Sequence, residues 1–370
     1  MGILSFFRKY TGKRITEKPD AKVTVSFHDY TPEELREQQC ADIQEKRELQ
    51  EKAALSKNGL QPQEILLLSY APKYYTDQTD FPSFWHYKYA ISNPSDVLKK
   101  LEKKGLVRQS TAAESLDNLT MQELKNVLSG QGLKVSGKKA ELIERVKIEV
   151  PESVIEKSAM KKRYALTELG QAEINDNEYV VSMHKNDYGV SVLTINNIIG
   201  KNPTIAWKDS IWGELNRELL DTMKYLKDGN ASPMVSVMYR QVAFLKDEGR
   251  TAEAIETLID ALHKEISIIV PQKFKIDEEL FRKGIITTKE PSFVRSVEDR
   301  CSFGFSLLNG MLQSANNGGS CVDILERCRR IRFDGAIIAK DEYINLLSAR
   351  ISDDCELFCN ICDNVQKRLS

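Results

Sequence analysis

Four consecutive residues, Ser136-Gly137-Lys138-Lys139, bring together the groups that grip an oxyanion: a hydroxyl, a glycine backbone that no side chain shields, and two ammonium groups. If a helix begins near Ser136 or Gly137, its first N–H groups lack intrahelical partners and face outward. Such an end attracts negative charge, and phosphate is the anion it suits. Lys125, Lys134, Arg145 and Lys147 can add positive charge around it.

Two predicted helices must position these groups. Residues 115–150 read SLDNLTMQELKNVLSGQGLKVSGKKAELIERVKIEV. Thr120 followed by Glu123 is a capping box, so the first helix is expected to start at Met121. Leu124, Val127 and Leu128 fall on one face, with Leu119 before the cap as a staple. Gly130 and Gly132 close that helix, and Leu133 to Val135 read as an extended linker. The second helix carries Ala140, Leu142, Ile143 and Val146. The unit is two short helices joined by an extension, with a small aliphatic core between them.

This segment resembles the SAP motif, a helix–extension–helix module that binds DNA. The matching positions are Leu119, Thr120, Glu123, Leu124, Lys125, Leu128, Gly132, Leu133, Ser136, Gly137, Lys138, Lys139, Ala140, Leu142, Ile143 and Arg145. The resemblance covers about a tenth of the chain. It implies binding of duplex DNA, often A·T-rich, mainly through backbone contacts and groove shape. RNA is a variant of the same chemistry.

A chain of 370 residues exceeds one ordinary core, so about two or three domains are expected. Hydrophobic content of 41% supports packed cores, and 29% charged residues suits a protein in water. The formal net charge of −1 hides an asymmetry: residues 98–163 hold 15 Lys and Arg against 9 Asp and Glu, leaving −7 for the remainder. One basic segment in an acidic chain points to a localised nucleic-acid contact. No apolar run approaches a membrane span. The start, Met1 to Arg8, is too short and wrongly ordered for a secretory signal, and Phe6 stands where myristoylation needs Ser or Thr. Seven cysteines without a disulfide-framework spacing fit a reducing interior, so a cytoplasmic protein is expected.

The surrounding chain supplies the frame. Residues 1–60 read as a polar arm, basic over Gly12 to Val25, and a charged helix from Thr31-Pro32 to about Leu55. Pro62 to Tyr70 is a short buried helix. Tyr74, Tyr75, Phe81, Phe84, Trp85, Tyr87 and Tyr89 follow, as core residues or as base-stacking groups. A helix opening at Asn93-Pro94, then KKGLV, and the later YALTELG resemble the end of a winged-helix domain, split over 61–114 and 151–180. In that arrangement the SAP-like unit replaces the hairpin wing, with over fifty residues where a wing needs few. Asn177 to Gly189 reads as a connector. Residues 190–370 form a helical domain, with helices near 207–226, 235–246, 251–264, 292–313, 321–332 and 340–367. Gly249, Ala254, Leu258 and Ala261 resemble the turn and second helix of a tetratricopeptide-type hairpin near 235–265, a surface suited to a protein partner.

Other chemistry finds little support. Cys355, Cys359 and Cys362 have the C-x3-C-x2-C spacing of radical SAM iron–sulfur enzymes, yet i, i+4 and i+7 also form one helical stripe for a core. Phosphate-binding-loop, zinc-protease and serine-elbow patterns are missing, and His28, His86, His184 and His263 show no ligand or catalytic spacing. The expectation is a mainly α, multi-domain, non-enzymatic DNA-binding protein with no cofactor. The site is Ser136, Gly137, Lys138 and Lys139, with Lys125, Lys134 and Arg145 around it. A protein partner is expected on the C-terminal helices. Such an architecture suits bacteria or their mobile elements. The rivals are an interaction scaffold without nucleic acid and an enzyme built on the C-terminal cysteines.

Overall fold

The computed structural model of the chain describes residues 31–158, 162–286, 290–314, 328, 331, 333 and 336–369. The expected lead-in at 12–25 and nearly all of the expected helix at 321–332 lie outside them. The structure is mainly α-helical with one small sheet. The described chain divides into two compact units, one of residues up to 187 with 191–207, the other of 188–190 with 208 onward.

In the first unit, α1 (Pro32–Glu51) begins where Thr31-Pro32 directs and stops short of Leu55. Its surface is mostly exposed, yet it is anchored: the Gln50 amide donates to the Tyr89 carbonyl at 2.7 Å and Arg47 to the Ser92 hydroxyl at 2.6 Å. Helix α2 (Pro62–Tyr70) buries Ile65, Leu66, Leu67 and Leu68. Short α3 (Phe84–Tyr87) and α4 (Pro94–Lys103) follow. Trp85, Tyr74 and Tyr89 are core residues, and the Trp85 indole donates to the Tyr74 hydroxyl at 2.7 Å.

Gly105, at φ +74°, turns α4 into β1 (Val107–Gln109). Then come α5 (Ala112–Ser115), α6 (Met121–Gly130), α7 (Lys139–Glu149) and α8 (Glu152–Ser158) before β2 (Tyr164–Leu166). The strands pair antiparallel, Val107 with Leu166 and Gln109 with Tyr164. On the other edge of β2, Tyr75 bridges to Arg163. Helices α9 (Glu168–Asp176), α10 (Glu178–Lys185) and α11 (Val192–Lys201) complete the unit. Helix α10 corrects the reading of 177–189 as a connector. Polar flanks disguise a helix whose Tyr179, Val180 and Met183 are buried. Gly170 lets α9 lie on the main chain before β1, because a Cβ there would stand 2.0 Å from the Leu106 carbonyl oxygen.

The second unit is a helical stack: α12 (Trp207–Leu226), α13 (Ser232–Asp247), α14 (Thr251–Lys264), α15 (Val270–Arg282), α16 (Phe293–Ser314), α17 (Lys340–Ile351) and α18 (Cys355–Leu369). Gly249, at φ +71°, makes the turn between α13 and α14, which pack as an antiparallel hairpin around Val242, Leu245, Ala254 and Leu258. A π-helical turn, Glu265–Ile269, runs α14 on into α15. The single helix expected over 340–367 is two helices, since Asp353 at φ +57° breaks it. Among the described residues, no helix is long and apolar enough to cross a membrane.

Candidate nucleic-acid interface

The capping box forms as the residue types require. The Thr120 hydroxyl accepts from the Glu123 N–H at 3.2 Å, and the Glu123 carboxylate accepts from the Thr120 N–H at 2.6 Å. These bonds from Thr120, with Lys139 adding positive charge, hold the Glu123 carboxyl below its usual range. At the other end of α6, Gly132 adopts φ +70°. Leu133 N–H returns to the Leu128 carbonyl at 2.9 Å and Gly132 N–H to Ser129 at 3.0 Å, a Schellman closure. Leu124, Leu128, Leu142, Ile143 and Val146 form the small core between α6 and α7, with Leu119, Val127 and Leu133 against it. That core also takes in Ala112 and Ile155, so the folded unit reaches into α5 and α8.

Helix α7 starts at Lys139, later than Ser136 or Gly137. Ser136 is therefore not its cap. Lys138 stands at the cap position with extended backbone, φ −73° and ψ 159°. Its N–H is taken by the Glu141 carboxylate at 3.2 Å. Gly137 sits at φ +139°, and a Cβ there would lie 2.6 Å from a Glu141 carboxylate oxygen. Ser136, Gly137 and Lys138 are all exposed. The expected phosphate tip is open to solvent, but it carries one internal anion.

The cations divide into two kinds. Arg145 donates to the Lys134 carbonyl at 2.6 Å and the Ser136 carbonyl at 3.1 Å, sewing the extension onto α7. Lys139 donates to the Asp117 carbonyl at 2.8 Å and is half-buried, tying α7 to the turn before α6. Lys147 pairs with Glu144 at 3.1 Å. Lys125, Lys134 and Lys138 have no carboxylate partner among the described residues, and Lys134 and Lys138 are exposed. The extension thus presents free ammonium groups on a backbone that other residues fix.

The unit stands on the sheet. Arg108 of β1 forms a two-bond pair with Glu114 of α5, at 2.8 and 2.7 Å. That pair, with the Thr111 N–H, depresses the Glu114 carboxyl to about 2. The Ser110 N–H donates to the Arg163 carbonyl at 2.8 Å, and the Ser110 and Ser115 hydroxyls meet at 2.7 Å in the buried base.

The cysteine stripe on α18 runs from exposed Cys355 through Cys359 to buried Cys362, so only its far end is core. Burial pushes the Cys362 thiol up to about 12. Among the described residues no group of three or more His, Cys, Asp or Glu is placed to hold a metal. One cluster escaped the sequence reading: His184 of α10 lies between the Tyr70 hydroxyl, at 2.7 Å, and the Tyr89 hydroxyl. Burial, then Lys88 and Lys73, hold its pKa below the ordinary value. It fastens α10 to α2 and the 87–92 turn, and residues this far apart in the chain leave no spacing signal.

Residues 115–148 match the SAP domain family, so the chain carries a SAP domain at that place, a kind of domain associated with nucleic-acid binding. No curated protein matches the chain.

Proposed function

We propose that this SAP-bearing chain is a non-enzymatic protein that binds duplex DNA through the extension and the start of α7. The observation that supports the reading best is the exposed tip, where Ser136, Gly137 and Lys138 precede a helix N-terminus and the Lys134 and Lys138 ammonium groups have no acidic partner among the described residues. Phosphate oxygens would meet ammonium groups and the first-turn N–H groups, which have no intrahelical carbonyl. Few such contacts carry no base information, so binding is weak and low in sequence preference, with any bias to A·T-rich duplex arising from groove shape.

We read the small split domain around β1 and β2, ordered helix–strand–insert–strand–helix, as a winged-helix-like mount. The C-terminal helices, including the α13–α14 hairpin, take a protein partner. The free cysteines of the described residues suit a reducing, cytoplasmic setting. Titrating duplex DNA against the full chain in gel shifts at several salt concentrations tests the proposal. Binding that weakens with salt and is lost in Lys138→Ala/Lys139→Ala with the helical spectrum intact supports it. Binding unchanged by that pair moves the site elsewhere, and single-stranded RNA outcompeting duplex DNA replaces the ligand.

A further inference from the structure

The charge of the basic segment does not sit where the SAP domain sits. Residues 115–150 hold six Lys and Arg against five Asp and Glu. The flanks hold the excess: five against two over 98–114, and four against two over 151–163. Of the six cations in the domain, Arg145 and Lys139 bind carbonyls of their own unit and Lys147 is ion-paired. Three lysines remain, a thin basis for holding a polyanion.

The flanks come together in the fold because β1 and β2 pair. Some of their cations are committed: Lys100 to Glu64 at 2.6 Å, Arg108 to Glu114, and Lys104 to the Asn58 and Gly59 carbonyls. Lys103 and Lys162 are exposed and have no acidic partner among the described residues, while Lys99 has only Asp96, 4.0 Å away. Lys99 and Lys103 share one face of α4, a turn apart, at the end that leads into β1. Lys162 lies beyond the other end of the strand pair, next to Arg163, which stacks over the Tyr75 ring at 4.8 Å. A strand pair of three residues is about 10 Å long, which matches about three phosphates along one DNA strand.

We infer that the DNA footprint runs from the SAP tip onto the mount, with Lys99, Lys103 and Lys162 contacting the phosphate backbone. This rests on the duplex-DNA reading above. The number of phosphates neutralised is read from the dependence of affinity on salt, whose logarithmic slope changes by about 0.9 for each contact in B-form DNA. The experiment measures fluorescence anisotropy of a labelled short duplex with the full chain across a salt series. It compares the parent, Lys99→Ala/Lys103→Ala/Lys162→Ala, and Lys125→Ala/Lys134→Ala/Lys138→Ala. The expected result is a slope shallower by about 2 to 3 in each triple variant. Charge reversal, Lys103→Glu/Lys162→Glu, should weaken binding further, with unchanged circular dichroism in every case. If the parent binds and the first triple variant keeps its slope, the footprint is confined to the SAP domain and the inference fails alone. If the parent does not bind duplex DNA at low salt, the proposed function fails with it.

Discussion

Arg145 of α7 reaches back to the main chain of the extension and donates to the Lys134 carbonyl at 2.6 Å. A residue type that reads as a phosphate-steering cation is placed as a fastener, and the tip owes its fixed shape to it. Arg145→Ala should weaken DNA binding several-fold by freeing the extension, since ordering a loop on binding costs affinity. Amide hydrogen exchange should then accelerate over 133–138. Unaltered exchange with weaker binding would mean that the guanidinium acts directly on phosphate instead.

Glu141 places a carboxylate against the Lys138 N–H at 3.2 Å, where a phosphate bound as proposed would have to share the space. Glu141→Gln keeps an acceptor for that N–H and removes the like charge. Affinity for duplex DNA at low salt should rise by about 1 kcal/mol or less, as for a rim charge in partial screening. An affinity that falls would show the carboxylate to be needed for the shape of the turn.

Leu128 and Leu142 are fully buried in a core with few other members. Leu142→Ala should cost about 2–5 kcal/mol. A core this small has little stability to spare, so the variant should unfold the 112–155 region while the rest of the chain stays folded. Limited proteolysis would then cut within 112–155 and nowhere new. Global unfolding in one step would show that insert and mount share one transition.

His263 is buried against the rings of Phe333 and Tyr343, and burial, with Lys264 nearby, lowers its pKa from the ordinary imidazole value to about 4. The unfolded chain takes up the proton near the ordinary value while the folded chain resists until about 4. This contribution is complete above the ordinary value and is lost as pH falls through that window, on the order of 3 kcal/mol in all. Denaturant titrations of the parent and His263→Phe across this range should show a flatter pH dependence in the variant. Parallel curves would assign the acid sensitivity to other groups.

The parts of the site that could be read beforehand are those held by near neighbours. Thr120 with Glu123, and Gly132 after Leu128, act within a turn or two, so both ends of α6 follow from residue types. The start of α7 does not, because Ser136 and Gly137 are kept in the extension by an arginine on the following helix and by the Glu141 carboxylate. Helix α10 was hidden for a similar reason: its flanking Asn and Asp look like a loop, and the burial of Tyr179, Val180 and Met183 comes from packing on distant chain. His184 meets Tyr70 across 114 residues and Tyr89 across 95, which no local pattern encodes. The split of the last helix was legible but overlooked: Ser352-Asp353-Asp354 is a turn-and-cap cluster, Asp353 takes the left-handed conformation, and the Asp354 carboxylate accepts from the Leu357 N–H at 3.0 Å.

Gln109 and Tyr164 are cross-strand partners, so the whole of 110–163 departs from and returns to adjacent points. As an unstructured chain, that length would oppose the pairing by on the order of 3 kcal/mol relative to a tight turn. Folded, its ends already lie side by side and the opposition largely disappears. Whatever tightens the inserted hairpin therefore also secures the ribbon beneath it. A nucleic acid gripped at one extremity would be felt as added thermal resistance at the root.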